Sequence, residues 1–448
     1  MNHTMAILKA VKYMDTTVLV EALDRYCEKT VFNEVVALFI AKYLEPRIKY
    51  NLTSLFLTSL KNDSLALTRY LLSNGVDPTL PNNKPLLTAV KYKSVKTLSL
   101  LLQLPVDPTV NENYCLRKAI DNQDLISLGL LLDDQRVDPA FSGYYAIHQI
   151  SSIGNLETLK MYLNNSRVNI DDCGFLGLYT ACEYGNARIV EYLLQLGIDP
   201  SQDNNYCIGI ASTNGFSNVV ELLLKCKKVN PAVDKSFPFR MAATNGHLKV
   251  LEILSKTNAD PTAMNNAAIR MASSNGHYHV VKYLLKIPKI NPAAVHNYAL
   301  RKACLNGHKN IVQLLLTDER VQPSSHRYQA IKNCFENRHD QIVKMLLTDY
   351  RVDLHFENNY ALHKASECGF IDIYKLYNPN RQSNSSCLKL ASSNGHSELV
   401  SLILEGDVDP TLNDYECIRS ALVNGHYQTA KLLKQDHRVD TCYASTLH

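Results

Sequence analysis

The chain has no long apolar run. A membrane-spanning helix needs about 20 apolar residues, and the longest candidate, Val35 to Ala41, is closed off by Glu34 and Lys42. The start, MNHTMAILKA, lacks a basic stretch followed by an apolar one, so no secretory signal is expected. Residue 2 is Asn2 rather than the glycine that myristoylation requires, and no CaaX box ends the chain. No membrane partner is therefore expected. Charge of one sign is also lacking. With 47 Lys and Arg against 43 Asp and Glu, the net charge of +4 gives no global reason to expect nucleic acid. None of the 12 cysteines forms a CxxC pair, which argues against zinc ligation and against a disulfide framework. There is no GxGxxG, GxxxxGK[ST], GxSxG or HExxH. Neither a catalytic site, a metal nor a cofactor is expected, and the chain reads as a non-enzyme.

What the chain does have is repetition. In Asn297 to Pro323, NYALRKACLNGHKNIVQLLLTDERVQP, Ala299, Leu300, Ala303 and Cys304 place small and apolar groups on one helix face. Asn306-Gly307-His308 breaks that helix, since Gly ends a helix in a left-handed conformation without a Cβ penalty. Ile311 to Leu316 make a second apolar helix, and Pro323 stops it. Asn204–Pro231, Asn265–Pro292 and Ser385–Pro410 follow the same plan. A small residue marks the first helix at Ala89, Ala119, Ala181, Ala211, Ala242, Ala272, Ala303, Ala365, Ala391 and Ala421, with Ser59, Ile150 and Cys334 in the remaining units. Successive marks are 30 or 31 residues apart, except for 26 between Ala365 and Ala391. Such a period implies a stack of repeats that bury their core between neighbours. The cysteines obey it: Cys115, Cys207, Cys387 and Cys417 each precede the mark by four residues, while Cys182 and Cys304 follow it by one. They read as buried, reduced thiols filling a small-residue position, which points to a cytoplasmic, or alternatively nuclear, protein.

This unit resembles the ankyrin repeat, whose consensus has a TPLH start, an NGH centre, a VV-x-LLL second helix and a G-A-D ending. The resemblance covers roughly residues 50–442. It implies an all-α fold: an ankyrin-repeat solenoid of stacked antiparallel helix pairs, curved, with the first helices on the concave side. The TPLH start is the most altered part, as in Tyr298-Ala299-Leu300-Arg301, and only His148 and His363 keep the family's histidine. The connection from Asp77 to Leu86 is about three residues shorter than in the consensus, so short loops are expected in place of protruding hairpins. Units this short resemble the ankyrin arrays abundant in amoebae and in their large DNA viruses.

The domain reading is a degenerate helical cap over 1–49, about thirteen repeats in one continuous array over 50–442, and a tail over 443–448. Each unit ends in a β-branched or small residue, then Asp, Asn or Gln, then usually Pro, as in Val106-Asp107-Pro108 and Ile290-Asn291-Pro292, which starts a turn. Asn113, Asn205, Asn297 and Asn359 precede the tyrosine that stands where the family's Thr caps the first helix, and Asn is a strong N-cap. Between Ala365 and Ala391 five residues are missing around Asn378-Pro379, which predicts a kink or a change of superhelical pitch there.

Two ladders recur in phase. His247, His277, His308, His396 and His426 follow Asn-Gly. Neighbouring units lie too far apart for one zinc, whose ligands stand about 2.0–2.1 Å away, so these read as structural. Two residues before the mark stand Arg240, Arg270, Arg301, Lys332, His363, Lys389 and Arg419. One reading is a repeated hydrogen bond to loop carbonyls of the adjacent unit. The other is a cationic stripe for an acidic peptide, a phosphoprotein or a nucleic-acid backbone. The candidate partner-binding residues are thus Arg240, Arg270, Arg301, Lys332, Lys389 and Arg419. The resemblance implies a monomeric, non-catalytic scaffold or adaptor that binds one or more proteins. An alternative is a substrate adaptor of a ubiquitin ligase, with residues 1–64 as a degenerate F-box-like recruiting segment. There Asn33-Glu34-Val35 and Tyr43-Leu44 fit the F-box, but its Leu-Pro is missing. A nucleic-acid-binding array is a third reading, disfavoured by the charge balance.

Overall fold

A computed structural model of the chain describes residues 52–377, 381–406 and 408–439. The expected cap over 1–49, the tail over 443–448 and the centre of the expected kink, residues 378–380, lie outside the described residues. Within them there are twenty-six helices and no strands, arranged as thirteen consecutive pairs from Leu52–Lys61 with Leu65–Ser73 to Leu412–Val423 with Tyr427–Lys434. We number these pairs 1 to 13. No hairpin finger projects between described pairs; short connections join them, as between Leu102 and Val110.

Pair 9, Ala294–Leu305 with Lys309–Leu316, shows why each unit folds. Ala299, Leu300, Ala303 and Cys304 are fully buried on one face of the first helix. That helix closes in a Schellman arrangement: the His308 amide donates to Ala303 O at 2.9 Å and the Gly307 amide to Cys304 O at 3.4 Å, with Gly307 left-handed at φ 73°. The chain reverses, and Ile311, Val312 and Leu315 of the second helix return to the same core. All thirteen marker positions, from Ser59 to Ala421, are buried at 1% exposure or less. A small residue there lets neighbouring first helices approach, so a larger one costs overpacking.

The chain divides into two compact units, Met1–Ala211 with Glu221–Val229, and Ser212–Val220 with Asn230–His448. In the first, Leu80–Lys91 packs on Val110–Asp121 and Phe141–Ile153 on Ile170–Tyr184, while second helices form a parallel row, Leu65–Ser73 against Val95–Leu102. In the second, Val233–Thr244, Ala263–Ser274, Ala294–Leu305 and Ser325–Glu336 pack successively. Unit endings fold as the turn chemistry demands. The Asp107 carboxylate accepts the Thr109 amide at 2.9 Å, and Asn291 Oδ1 accepts the Ala293 amide at 3.0 Å. The described cysteines are free thiols, most of them buried. Burial pushes the Cys115 thiol up to about 12 and those of Cys173 and Cys417 to about 11.

Candidate functional site

Three networks hold neighbouring repeats in register, and they dispose of most of the chain's recurrent polar residues. The first is the Asn-Gly-His turn. His247 Nε2 lies 2.9 Å from Thr213 O, His277 Nε2 2.8 Å from Thr244 O, His308 Nε2 3.0 Å from Ser274 O and His396 Nε2 2.7 Å from Glu367 O. A carbonyl only accepts, so each ring carries its proton on Nε2. In the first three of these joints the asparagine of the same turn donates to the same oxygen, as from Asn275 Nδ2 to Thr244 O at 2.8 Å and Asn306 Nδ2 to Ser274 O at 2.7 Å, whereas Asn394 donates to Leu390 O of its own helix. Those three pairs thereby place two donors on a helix-terminal carbonyl of the pair before them. The ring also lies flat on the preceding glycine: a Cβ on Gly276 would stand 2.8 Å from His308 Cε1, and one on Gly215 2.4 Å from His247 Nδ1. Gly is thus required for its left-handed φ and for the space its neighbour's ring occupies. The histidine ladder is a structural joint, as its spacing implies.

The second network escaped sequence reasoning. Arg136, Arg320, Arg351 and Arg438 each stand two residues after an aspartate and reach back to the preceding pair. Arg351 donates to Asp349, to Leu316 O at 2.8 Å and to Val321 O at 2.7 Å. Arg438 donates to Asp436, Leu404 O at 2.8 Å and Gly406 O at 3.0 Å. Arg167 does the same beside Asn165, bonding Val137 O and Leu132 O. The planar guanidinium fork suits several carbonyls at once. The arginine beside it holds the Asp134, Asp318, Asp349 and Asp436 carboxyls below the usual carboxylate range, the side-chain hydrogen bond being the largest cause. The signal was present in Asp-x-Arg-Val, found at the ends of 31-residue units.

The third network contains the basic ladder. In eight first helices the opening turn is left-handed over three consecutive residues, as in Asp234–Ser236, Met264–Asn266, Val295–Asn297 and Asn413–Tyr415. Left-handed backbone costs about 1–2 kcal/mol per residue, and Asn and Asp tolerate it best. They hold more than half of these positions, which accounts for the recurrent Asn-Asn. This corrects one expectation. Asn113, Asn205, Asn297 and Asn359 are not N-caps; each is the last residue of a left-handed turn. Asn297 instead accepts the Gln322 amide, in the connection to the next pair, at 2.9 Å, as Asn266 accepts that of Asn291 at 2.8 Å.

The ladder arginines pin these turns. Arg240 donates to Asp234 O and Lys235 O, both at 3.0 Å. Arg270 reaches Met264 O at 2.9 Å and Asn265 O at 3.0 Å, and Arg301 reaches Val295 O at 3.2 Å and His296 O at 2.9 Å. These carbonyls belong to the arginine's own unit, not to the adjacent one as expected, because the left-handed turn folds them back over the helix. Further along, carboxylates take over. Lys332 pairs with Glu357 at 2.7 Å and lies 5.3 Å over the Tyr360 ring. Lys389 pairs with Glu416, and Arg419 with Asp414 at 2.9 Å and Asn413 O at 3.1 Å. Lys389 holds the Glu416 carboxyl below the usual carboxylate range, chiefly through that side-chain hydrogen bond. The six candidate cations therefore line one register of the second unit, each already partnered. The same loops expose Met264 (47%), Val295 (40%) and Leu412 (43%).

A family profile described as ankyrin repeats in three copies matches residues 116–204, 208–294 and 269–358, more than half of the chain. The chain belongs to the ankyrin-repeat family. A 50-residue stretch is 42% identical to ankyrin repeat protein L72 of Acanthamoeba polyphaga mimivirus, covering 11% of this chain and 13% of that protein. The alignment thus spans a small part of that relative's length, and it agrees with the likeness of these short repeats to those of viruses of amoebae. Ankyrin repeats are protein-interaction scaffolds. Among the described residues no helix is long and apolar enough to cross a membrane, and no three His, Cys, Asp or Glu side chains converge as metal ligands.

Proposed function

We propose that this ankyrin-repeat protein is a non-catalytic scaffold whose partner, a protein, is recognised along the loop edge that Arg240, Arg270, Arg301, Lys332, Lys389 and Arg419 organise. The observation that carries this reading is the division of labour in those loops. Each basic group is bonded to carbonyls or carboxylates, while Met264, Val295 and Leu412 beside them face solvent. The stripe therefore acts by ordering an apolar edge flanked by charge-assisted bonds, and affinity comes from its preformed shape. Cations already engaged release few counterions, which disfavours a nucleic-acid backbone. For the ligase-adaptor alternative, part of residues 1–64 falls in pair 1, where Leu55, Phe56 and Leu60 are buried against the chain itself; the rest lies outside the described residues.

The test is affinity capture on the tagged full-length chain, with a variant lacking residues 1–49 in parallel. Each captured partner is then titrated against Met264→Asp and Val295→Asp. Asp is better accommodated than Met or Val in left-handed backbone, so both variants keep the fold. A loss of tenfold or more in affinity, about 1.4 kcal/mol, with an unchanged unfolding midpoint supports the loop edge. Unchanged affinity in both variants refutes it. Ligase components captured by the full chain and lost on truncation favour the adaptor.

A further inference from the structure

A cleft of about 410 Å3 opens between the second helices of pairs 5 and 6, Ala187–Gln195 and Ser217–Leu224, lined among others by Leu194, Ile198, Asp199, Leu222, Cys226 and Lys228. Its position in the repeat is the one that clamp arginines fill elsewhere. Arg136 donates to the carbonyls of the residues 30, 32 and 34 places earlier, Val106 at 2.6 Å, Leu104 at 3.5 Å and Leu102 at 2.9 Å. Arg438 repeats the last two, 32 and 34 places back, at Gly406 and Leu404. In pair 6 the corresponding residue is Lys228, and the carbonyls 30, 32 and 34 places back are those of Ile198, Leu196 and Leu194.

Both members of the clamp are changed here. Cys226 stands where Asp134, Asp318, Asp349 and Asp436 hold the guanidinium in other pairs, and Lys228 turns away to Asp199 Oδ2 at 2.8 Å. Among the described residues no donor meets Leu196 O or Ile198 O, and Leu194 O accepts only the Gly197 amide at 3.1 Å. Leu194 and Ile198 line the cleft, so it borders the helix C-terminal stretch whose carbonyls a clamp arginine meets elsewhere, where the dipole favours a cation, and Lys228 is engaged by Asp199 instead. Glu191 and Asp199 stand at its rim, against Lys225 and Lys228.

We propose that this cleft is a socket for the guanidinium of an arginine on a partner protein, held as Arg136, Arg320, Arg351 and Arg438 hold their own neighbours. The inference rests on the reading of the chain as a protein-binding scaffold and adds the partner's anchoring group, at a place apart from the loop edge. A planar fork meets the three carbonyls; an ammonium, a compact and strongly hydrated charge, does not. The apolar wall of Leu194, Ile198 and Leu222 packs on the methylene stem.

The test needs no partner. Saturation-transfer NMR on the full chain compares N-acetyl-arginine methylamide with its lysine counterpart, on the natural protein, on Lys228→Ala, and on the double variant Cys226→Asp with Lys228→Arg. The double variant rebuilds the internal clamp. Arginine is expected to bind the natural protein and Lys228→Ala about tenfold more tightly than lysine does, and to lose binding in the double variant, whose unfolding midpoint rises. Equal binding of arginine and lysine, or arginine binding that survives the double variant, overturns the socket. Should the double variant fail to fold, the arginine–lysine contrast on the natural protein decides alone. Because the probes are small molecules, a negative result here leaves the capture experiment on the loop edge untouched, and the reverse holds as well.

Discussion

At the scale of single residues, the glycine of the Asn-Gly-His turn serves two needs that substitution can separate. Gly276 has φ +85°, and its missing Cβ leaves room for His308; Gly425 has φ +78° but nothing within 4 Å of a Cβ. Alanine at Gly425 therefore meets only the backbone cost of about 1 kcal/mol. Alanine at Gly276 must also displace an imidazole bonded to Ser274 O, which adds about 1 kcal/mol for the lost hydrogen bond. Urea unfolding of the two variants should rank Gly276→Ala as the more damaging; equal losses would mean that the ring shifts freely. Arg301 makes a parallel case. Removing its guanidinium frees Val295 O and His296 O and should cost about 1–2 kcal/mol. Lysine should not rescue it, since one ammonium cannot fork to both oxygens. Val295→Gly, which accepts φ +55° at no steric cost, should restore part of the loss in the Arg301→Ala background.

At the scale of the element, the Asp-x-Arg clamp makes the joint between second helices sensitive to acid. The folded pKa values of Asp134, Asp318, Asp349 and Asp436 lie below the ordinary 3.8. A depressed carboxyl contributes stability above its unfolded pKa and loses it as pH falls through the folded one. The clamps are thus intact at neutral pH and fail below about pH 4. Asp349, only 10% exposed and paired with an arginine only 8% exposed, is an informative one to change. Asp349→Asn should lower stability at pH 7 and flatten its decline between pH 4 and 2; a variant that parallels the natural protein throughout that range would remove Asp349 from the acid response. The clamp also marks where sequence reading fell short. The helix pairs, the marker residues and the histidine joint were legible because each is a local pattern repeated in phase. The clamp arginines were not legible as joints, because their role depends on carbonyls about 30 residues earlier. The left-handed opening turns were misread as N-caps for a related reason. Asn suits both conformations, and only the position of Arg301 over Val295 O and His296 O distinguishes them.

At the scale of the whole molecule, every polar link described above joins a pair to itself or to its neighbour. Stability should therefore behave as a sum of repeat terms and nearest-neighbour terms. Within the second unit this can be measured. Gly276 and His308 belong to one joint, and Gly395, with His426 lying 2.5 Å from where its Cβ would stand, belongs to another. In the double variant Gly276→Ala with His308→Ala, the second change removes the ring that the first would strike. The pair should therefore cost less than the two single losses together, by about 1 kcal/mol. Gly276→Ala with Gly395→Ala shares no contact and should be additive to within about 0.5 kcal/mol. Chemical denaturation of the five variants and the natural chain supplies both cycles. Coupling between the distant glycines as large as that within the joint would show that strain at one turn travels through intervening pairs, and the nearest-neighbour description of this protein would fail.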